Sequence, residues 1–525
     1  MKNIIYTMLL ATMTLPIVSC NDESPVLTQK DWVGTTNYFS PTDEKTFGTY
    51  YQPYVGYIGD PMPFYDPVAE DFKIMYLQEF RPNQEFTYHP IWAVSTKDFS
   101  SYIPMGELIS NGSKAEADAA IGTGSTIYNE SDKQYYTFYT GHTSAQEVIM
   151  LATSPDFKTW SKNKTLYLNG GEYGYDLKNF RDPFVFKGDD GMFHMIVSTI
   201  KNGKGSLAEF LSSDLLSWQD NGVFMTMMWD RFYECPDIFK MGDWWYMIYS
   251  EKHSAIRRVQ YFKGRTLDEL KNATLNDNAI WPDEHEGFLD SRAFYAGKTA
   301  SDGTDRYIWG WCPTREGNDN TAVGAAPSEP QWAGALVAHK LIQHENGSLT
   351  LGPVNGISNK YTNSSDVKVM SQSESGTQVN NGVYSLSSGS YVLFNRLNVH
   401  NKITFNVKVS ETTDKFGFSF CRGTDSKKFY SMVINPENGN KKKLNFEEEG
   451  TDAKGFIAGA DSYTFDSPSD NIYNVTVYTD NSVCVVYIND VLAYTNRVYG
   501  IQKNCWSINC YDGNITVSDL NVMYY

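Results

Sequence analysis

Acidic residues stand beside proline at three places in the first half of the chain. The segments read Gly59-Asp60-Pro61, Arg181-Asp182-Pro183 and Glu234-Cys235-Pro236. Carboxylates that share one site repel each other, which raises the pKa of at least one and leaves another ionised. Glycoside hydrolysis needs that division, because one acid protonates the leaving oxygen while another attacks the sugar or orients a water molecule. Asp60, Asp182 and Glu234 are therefore the candidate catalytic residues.

Two neighbouring charges extend this set and leave other interpretations open. Arg181 directly precedes Asp182 and could hold an acid or a sugar hydroxyl, and Asp290 begins a fourth segment, Asp290-Ser291-Arg292. Asp290 could equally pair with Arg292. Any single Asp-Pro pair is typical of a turn or a strand start, and oxygen ligands of this kind also suit calcium. Three acids at matching positions of a repeat favour one shared site.

A repeat in the first two-thirds of the chain predicts how these acids are positioned. The pattern Ser-x-Asp, an apolar residue and then an aromatic occurs around Asp98, Asp156 and Asp214, at intervals of 58 residues. Equal spacing of a turn motif is typical of repeat architectures, and aromatic alternating strands accompany the copies. The pattern predicts a five-bladed β-propeller over residues 46–356. Because the first strand of each propeller blade lines the central channel, acids at equivalent strand starts would converge at one mouth.

The last third of the chain has a different composition. Residues 357–380 are rich in Ser, Asn, Gly and Thr and are predicted to be a linker. From 381 to 525, short alternating segments and turns such as Asn435-Pro436-Glu437 predict an antiparallel β-sandwich. The sequence thus predicts an all-β fold, a five-bladed β-propeller followed by a C-terminal antiparallel β-sandwich.

The N-terminus predicts export. An apolar run too short to span a bilayer precedes Leu15-Pro16-Ile17-Val18-Ser19-Cys20, which resembles a bacterial lipobox. Residues 1–20 would then be a lipoprotein signal peptide, Cys20 the lipidation site and 21–45 a tether. The acidic residues after Cys20 resemble the surface-export signal of Bacteroidetes lipoproteins, which predicts an outer-membrane lipoprotein at the cell surface or on the periplasmic face. A plain cleaved signal peptide is the alternative.

Composition limits the classes of partner. The 525 residues include 44 basic and 62 acidic ones, for a net charge of −18, which argues against nucleic acid and against an anionic membrane surface. We therefore expect membrane contact only through the lipid anchor. The cysteines form no CxxC pair and no zinc-type spacing with histidine, so no metal and no cofactor are expected.

Taken together, the Arg181-Asp182-Pro183 and Glu234-Cys235-Pro236 motifs resemble glycoside hydrolase family 32, the β-fructofuranosidases. Further segments agree in order: Gly122-Thr123-Gly124-Ser125, Trp309-Gly310-Trp311 and Trp332-Ala333-Gly334-Ala335-Leu336. The resemblance implies that Asp60 is the nucleophile, Glu234 the general acid/base and Asp182 the transition-state stabiliser of a retaining glycosidase without a cofactor. It implies an oligo- or polysaccharide substrate of the levan, inulin or sucrose type. The substrate-binding residues it implies are Arg181, Gly124, Ser125, Trp92, Asp290 and Trp332.

The surroundings of Asp60 depart from that family. The family carries Trp and Asn ahead of this Asp and Asn-Gly after its Pro, whereas this chain has Ile58-Gly59 before and Met62-Pro63 after. This points to a divergent branch with an altered substrate. Two alternatives stay open, an inverting family 43-like hydrolase of arabinan or xylan and a non-catalytic surface glycan-binding lipoprotein.

Overall fold

A computed structural model describes residues 47–54, 56–80, 89–227, 232–251, 258–273, 287–315, 330–423, 427–452, 455–456 and 462–525. The predicted signal peptide, Cys20 and the tether lie outside these residues. No helix in the described part of the chain is long and apolar enough to cross a membrane. The described residues form β-sheets joined by turns and a few short helices, which confirms the prediction of an all-β protein.

The first part of the chain is a succession of strands that pair antiparallel with their sequence neighbours. They are β1 (Tyr57–Asp66), β2 (Asp71–Glu79), β3 (Ile91–Thr96), β4 (Ile103–Ile109), β5 (Ala120–Asn129), β6 (Gln134–His142), β7 (Glu147–Ser154), β8 (Ser161–Asn169), β9 (Phe180–Lys187), β10 (Phe193–Lys201), β11 (Lys204–Ser212), β12 (Gln219–Thr226), β13 (Tyr233–Met241), β14 (Trp244–Glu251), β15 (Val259–Gly264), β16 (Tyr295–Ser301), β17 (Arg306–Arg315), β18 (Pro330–Gln343) and β19 (Leu349–Gly352). Short helices cover Gly170–Tyr173, Leu267–Lys271 and Asn355–Lys360.

These strands form four sheets. Strands β5–β8 and β9–β12 make two four-stranded sheets, β13–β15 make a three-stranded sheet, and the rest join in one eight-stranded sheet because β1 also pairs with β18. The first strands contact one another in the cyclic order β1, β5, β9, β13, β16 and back to β1. These five strands therefore contact one another in a ring.

The 58-residue repeat is a turn between the third and fourth strands of successive sheets. Asp156 accepts hydrogen bonds from the amides of Lys158 and Thr159, and Asp214 does the same for the residues at its own turn. The apolar residue after each Asp has positive φ, 59° at Phe157 and 66° at Leu215, and both side chains are buried. A carboxylate that caps its own turn and an apolar side chain that anchors it explain the recurrence of this motif.

The second part of the chain contains two facing eight-stranded sheets whose side chains form one core. The strands are β20 (Asn363–Ser364), β21 (Val369–Gln372), β22 (Thr377–Asn380), β23 (Val383–Ser387), β24 (Ser390–Phe394), β25 (His400–Val409), β26 (Lys415–Phe420), β27 (Phe429–Pro436), β28 (Lys441–Glu449), β29 (Gly455–Phe456), β30 (Tyr463–Asp466), β31 (Ile472–Asp480), β32 (Val483–Ile488), β33 (Leu492–Arg497), β34 (Trp506–Asp512) and β35 (Asn514–Tyr524), with a helical turn at Ile501–Lys503.

The predicted linker differs from the structure. Residues 357–380 contain most of a short helix and strands β20, β21 and β22, which pair with β35, β24 and β23. Most residues of β21 and β22 are exposed, because both strands lie at sheet edges. Exposed edge strands can have the polar composition that suggested a linker.

The two parts share a buried interface. One hydrophobic cluster includes Trp309 and Leu336 from the first part and Val485 and Tyr487 from the second. Asp480, at the end of β31, accepts hydrogen bonds from the backbone amides of residues 48–50 at 2.6–3.1 Å and lies 2.6 Å from His400 Nδ1. The first described residues are thereby attached to the C-terminal sheets.

Candidate active site

A bulge near the start of each first strand sets the direction of the acidic side chains. The pairing register shifts between Gly59 and Met62 in β1, and equivalent shifts occur where β9 and β13 pair with β10 and β14. The residues in the bulges have positive φ, 30° at Asp60, 58° at Asp182 and 52° at Cys235. Such backbone conformations are uncommon outside glycine and concentrate at functional sites. The proline that follows each bulged residue has no N–H to contribute to the interrupted ladder.

Both carboxylate oxygens of Asp60 accept hydrogen bonds. Thr123 Oγ1 donates to Oδ2 at 2.8 Å and Trp311 Nε1 donates to Oδ1 at 2.9 Å. Burial raises the pKa of Asp60, while these two donors act against that rise. Because a carboxylate that accepts at both oxygens is held in one orientation, these two bonds fix the direction of the Asp60 side chain.

Asp182 is the most deeply buried of the three acids, with 3% of its surface exposed. Its Oδ2 accepts from the Cys235 amide at 2.9 Å, and its own amide donates to Thr140 Oγ1 at 2.9 Å. Burial raises the pKa of Asp182 to about 7, Arg181 opposes the rise, and the Glu234 charge adds to it. The charges of Glu234 and Asp60 both act on Asp182, so the three acids share one electrostatic environment.

Glu234 accepts hydrogen bonds from two different groups. Arg181 Nη2 lies 3.0 Å from Oε1, and the Tyr295 hydroxyl donates to Oε2 at 2.8 Å. Its side chain keeps 18% of its surface exposed, so it can reach a ligand. Arg181 also pairs with Glu147 at 3.1 Å and stacks 4.1 Å above the ring of Phe232.

The Arg181 guanidinium stays protonated within this site. Burial alone would lower its pKa, but Asp182, Glu234 and Glu147 together raise it. A permanent cation held between two glutamates limits the repulsion among the acids that surround it.

Trp332 forms an aromatic wall beside Asp60. Its ring lies against Gly59, where an added Cβ would meet the ring at 2.3 Å, and it contacts Trp311 and His89 at centroid distances of 6.3 Å and 4.6 Å. Glycine before Asp60 is therefore what allows this tryptophan to approach. An aromatic face beside carboxylates is a common way to bind the apolar face of a sugar ring.

The structure does not bring Asp290 to the acids, which corrects its prediction as a substrate-binding residue. Asp290 is fully buried, accepts from Thr495 N and Oγ1 at 2.6 Å and lies 3.0 Å from His339 Nε2. Its role is to join the two parts of the chain.

Three further residues that were predicted to bind substrate instead make contacts within the protein. Trp92 is 4% exposed and packs on Phe80 in the core. Gly124 receives Lys298 Nζ on its carbonyl at 2.6 Å, and Ser125 Oγ accepts from the Val185 amide at 3.0 Å. Burial and these internal bonds place Trp92, Gly124 and Ser125 in support of the strands rather than on a ligand surface.

The motifs alone did not indicate the groups that hold the acids. Thr123, Trp311 and Tyr295 were not predicted as site residues, although Thr123 and Trp311 stand within segments that carried the family resemblance. Lys298 also went unpredicted; it is 2% exposed, and burial lowers its pKa against the charges of Asp237, Asp182 and Asp60. Among the described residues, no group of three His, Cys, Asp or Glu side chains could hold a metal ion.

Comparison with known proteins identifies two family domains. Residues 50–353 match the glycosyl hydrolases family 32 N-terminal domain, and residues 347–522 match the "GH32, BT1760-like, C-terminal domain". A sucrose-6-phosphate hydrolase of Vibrio alginolyticus is 25% identical over 279 residues, which are 51% of this chain and 55% of that protein. A fructan 1-exohydrolase of Leymus chinensis is 27% identical over 273 residues, 46% of this chain and 43% of that protein. The chain thus spans about half the length of the curated relatives it matches.

The fold has a solved counterpart. Fructan 1-exohydrolase IIa of Cichorium intybus, in complex with 1-kestose, superposes with a TM-score of 0.71 at 16% identity and covers 92% of this chain and 97% of that one. At that identity the likeness concerns the fold.

Proposed function

This chain belongs to glycosyl hydrolase family 32, and on that premise we propose that it is a glycosidase that cleaves fructofuranosidic bonds with retention of configuration. The single observation that carries the proposal is the convergence of Asp60, Asp182 and Glu234 in one site. Membership of this family argues against the family 43-like alternative.

In the proposed mechanism Asp60 is the nucleophile. One of its oxygens attacks the anomeric carbon of the fructosyl unit while Glu234 transfers a proton to the leaving oxygen, and a covalent fructosyl ester forms. Glu234, now ionised, then removes a proton from water, whose oxygen attacks the same carbon and releases Asp60. Trp311 and Thr123 stabilise the negative charge of the departing carboxylate through the hydrogen bonds that they donate to it.

Asp182 stabilises the positive charge that develops on the ring. Burial places the pKa of Asp182 near 7, so its ionised form is unfavourable in the absence of a nearby positive charge. A cation that develops beside it stabilises this ionised form, and the ionised form in turn stabilises the cation. Substrate binding and charge development would together favour its ionised form.

The charges of the site favour a neutral sugar over a phosphorylated one. Three carboxylates, those of Asp182, Glu234 and Glu147, act on Arg181, which is already paired with two of them. A phosphate group would meet net negative charge both here and over a chain of net charge −18. We therefore place the substrate among sucrose-type oligosaccharides and fructans such as levan and inulin, although several relatives are sucrose-6-phosphate hydrolases.

The proposal extends to architecture and location. The cyclic contacts of the five first strands support a five-bladed propeller in which the eight-stranded sheet supplies two blades. The lipobox-like segment ending at Cys20 supports a lipoprotein anchored at the outer membrane, in a divergent branch of the family.

Sugar release by the chain starting after Cys20 tests the activity. We expect fructose or fructo-oligosaccharides from at least one of sucrose, 1-kestose, inulin and levan, and none from arabinan or arabinoxylan. Asp60→Asn and Glu234→Gln should each lower kcat on the order of 10³-fold or more. Asp243→Asn is the matched control, because it removes a carboxylate that is 92% exposed.

Two further results decide the mechanism. In the presence of methanol, retention gives methyl β-fructofuranoside from a β-linked substrate, and inversion would contradict the assignment of Asp60 as nucleophile. A wild-type protein that binds fructan without releasing sugar would instead indicate a glycan-binding protein.

A further inference from the structure

The C-terminal part of the chain reaches the active site through one buried arginine. Arg497, the last residue of β33, is fully buried. Its Nη2 donates to the carbonyl of Cys312 at 2.9 Å, its Nε donates to the carbonyl of Pro313 at 3.0 Å, and its Nη1 donates to Ser482 Oγ at 2.8 Å. A single guanidinium from the second part therefore donates hydrogen bonds to two consecutive carbonyls of the first part.

Those two peptide groups directly follow the residue that holds Asp60. Trp311 precedes Cys312 in β17, and its Nε1 donates to Asp60 Oδ1 at 2.9 Å. The pairing of β17 with β18 becomes irregular just beyond this point, between Pro313 and Arg315. Trp311, Cys312 and Pro313 still pair in register with β18, so Arg497 adds a second restraint at the point where the regular ladder ends.

We propose that Arg497 is a positioning residue for the reaction: by clamping the Cys312 and Pro313 carbonyls it fixes the Trp311 indole that orients Asp60. The inference rests on the proposed function, in which Asp60 is the nucleophile. Arg497 touches no reacting atom and acts through Trp311.

A second contact from the same strand supports this role. Thr495, two residues before Arg497 in β33, bonds to Asp290 through its amide and hydroxyl, and its carbonyl accepts from Ser291 Oγ. Asp290 and Ser291 lie just before β16, whose first residue, Tyr295, donates to Glu234 at 2.8 Å. Strand β33 therefore anchors the segments that hold both the proposed nucleophile and the proposed acid/base.

The geometry requires an arginine. Two donors in one rigid plane reach two adjacent carbonyls, whereas lysine offers a single point of attachment on a flexible stem. Arg497→Lys keeps the charge and removes the fork, which makes it the sharper variant. Arg497→Met removes both.

The experiment uses the full chain after Cys20 and compares Arg497→Lys and Arg497→Met with Thr350→Val. The control removes another hydrogen bond between the two parts, from Thr350 Oγ1 to the Asp490 carbonyl at 3.0 Å, on strand β19, which pairs with β18. At a temperature where all variants are folded, we expect kcat of the Arg497 variants to fall about 10- to 100-fold while KM changes little. The control should keep the wild-type kcat.

Two readouts separate positioning from mere stability. A looser Trp311 donor allows the pKa of Asp60 to rise further, so the acidic limb of the kcat/KM profile should move to higher pH in Arg497→Lys. A crystal structure of Arg497→Lys should show the Trp311 Nε1 to Asp60 Oδ1 distance beyond hydrogen-bond range. An unchanged profile together with an intact hydrogen bond would overturn the proposal.

The result stays interpretable if other steps fail. Should wild type show no turnover, the proposed function fails, and the crystal structure of Arg497→Lys still decides whether Arg497 holds Trp311. Should neither Arg497 variant fold, Ser482→Ala removes the acceptor that holds Arg497 Nη1. A crystal structure of that variant in which the Arg497 bonds to the Cys312 and Pro313 carbonyls are lost, together with an unchanged kcat and pH profile, would refute the positioning role.

Discussion

Replacement of Asp182 by asparagine should stabilise the protein while it abolishes turnover. Burial raises the pKa of Asp182 from 3.8 to about 7. At about 1.36 kcal/mol for each pH unit, this gap corresponds to about 4 kcal/mol of folding free energy that wild type lacks above neutral pH. An asparagine at this position is neutral and avoids that penalty, and its amide oxygen can still accept from the Cys235 amide.

The sign of the pH dependence follows from proton binding. Between about pH 4 and pH 7 the folded state retains a proton on Asp182 that the unfolded state has released, so wild-type stability falls as the pH rises through this window. Below about pH 4 both states are protonated, and Asp182→Asn should match wild type. The advantage of the variant should grow from near zero there to its full value above pH 7.

Thermal unfolding from pH 4 to pH 8 measures this difference. An unfolding entropy of about 2.1 cal/mol/K per residue gives about 1.1 kcal/mol/K if all 525 residues unfold together, so 4 kcal/mol corresponds to a Tm gain of about 4 °C. Asp243→Asn, an exposed carboxylate, is the control and should follow wild type at every pH. A Tm difference for Asp182→Asn that is independent of pH, or negative at pH 8, would refute the reasoning.

Three other substitutions test the supports of the site. Tyr295→Phe removes one donor to Glu234 and should lower kcat about 10-fold and displace the pH profile; an unchanged profile would mean that the 2.8 Å bond is not used. Gly124→Ala should destabilise by several kcal/mol in denaturant unfolding, because the new Cβ would lie 1.9 Å from the Phe138 carbonyl oxygen, and wild-type stability would contradict that contact. Asp290→Asn should cost about 3 kcal/mol of stability, since it breaks a buried pair, and KM measured on folded protein should stay unchanged; a raised KM would restore Asp290 as a substrate-binding residue.

Local motifs were enough to predict that the acids lie together, because residues at matching positions of a repeat occupy equivalent places in the fold. Asp60 and Asp182 occupy matching bulges on β1 and β9, and Glu234 stands one residue before the matching bulge at Cys235. Since the first strands contact one another in a ring, residues at equivalent starts meet whatever their separation along the chain. The predicted grouping of these acids therefore needed the short acidic segments and their place in the repeat, and no knowledge of a long-range contact.

The partners of those acids could not be predicted in the same way. Trp311 is 251 residues from Asp60, and Thr495 is 205 residues from Asp290. The Asp290-Ser291-Arg292 segment resembles the other acidic segments locally, but its direction depends on a strand of the second part, which no local pattern reveals. Composition misled in the same manner at residues 357–380, where polar residues belong to edge strands.

The attachment of residues 48–50 to Asp480 also governs the order in which the molecule can be completed during synthesis. The Tyr50 amide and the Asp480 carboxylate are 430 residues apart, so this contact cannot form until nearly the whole chain has left the ribosome. The beginning of the first part therefore cannot make its native contacts until the end of the second part has been synthesised. In the same way, β17 cannot bind Arg497 until β33 is complete. A translation product that stops short of β31 lacks the Asp480 carboxylate that binds residues 48–50. One that stops before β33 also lacks the Arg497 contacts to Cys312 and Pro313, next to Trp311. The two parts are therefore expected to mature as one unit rather than one after the other.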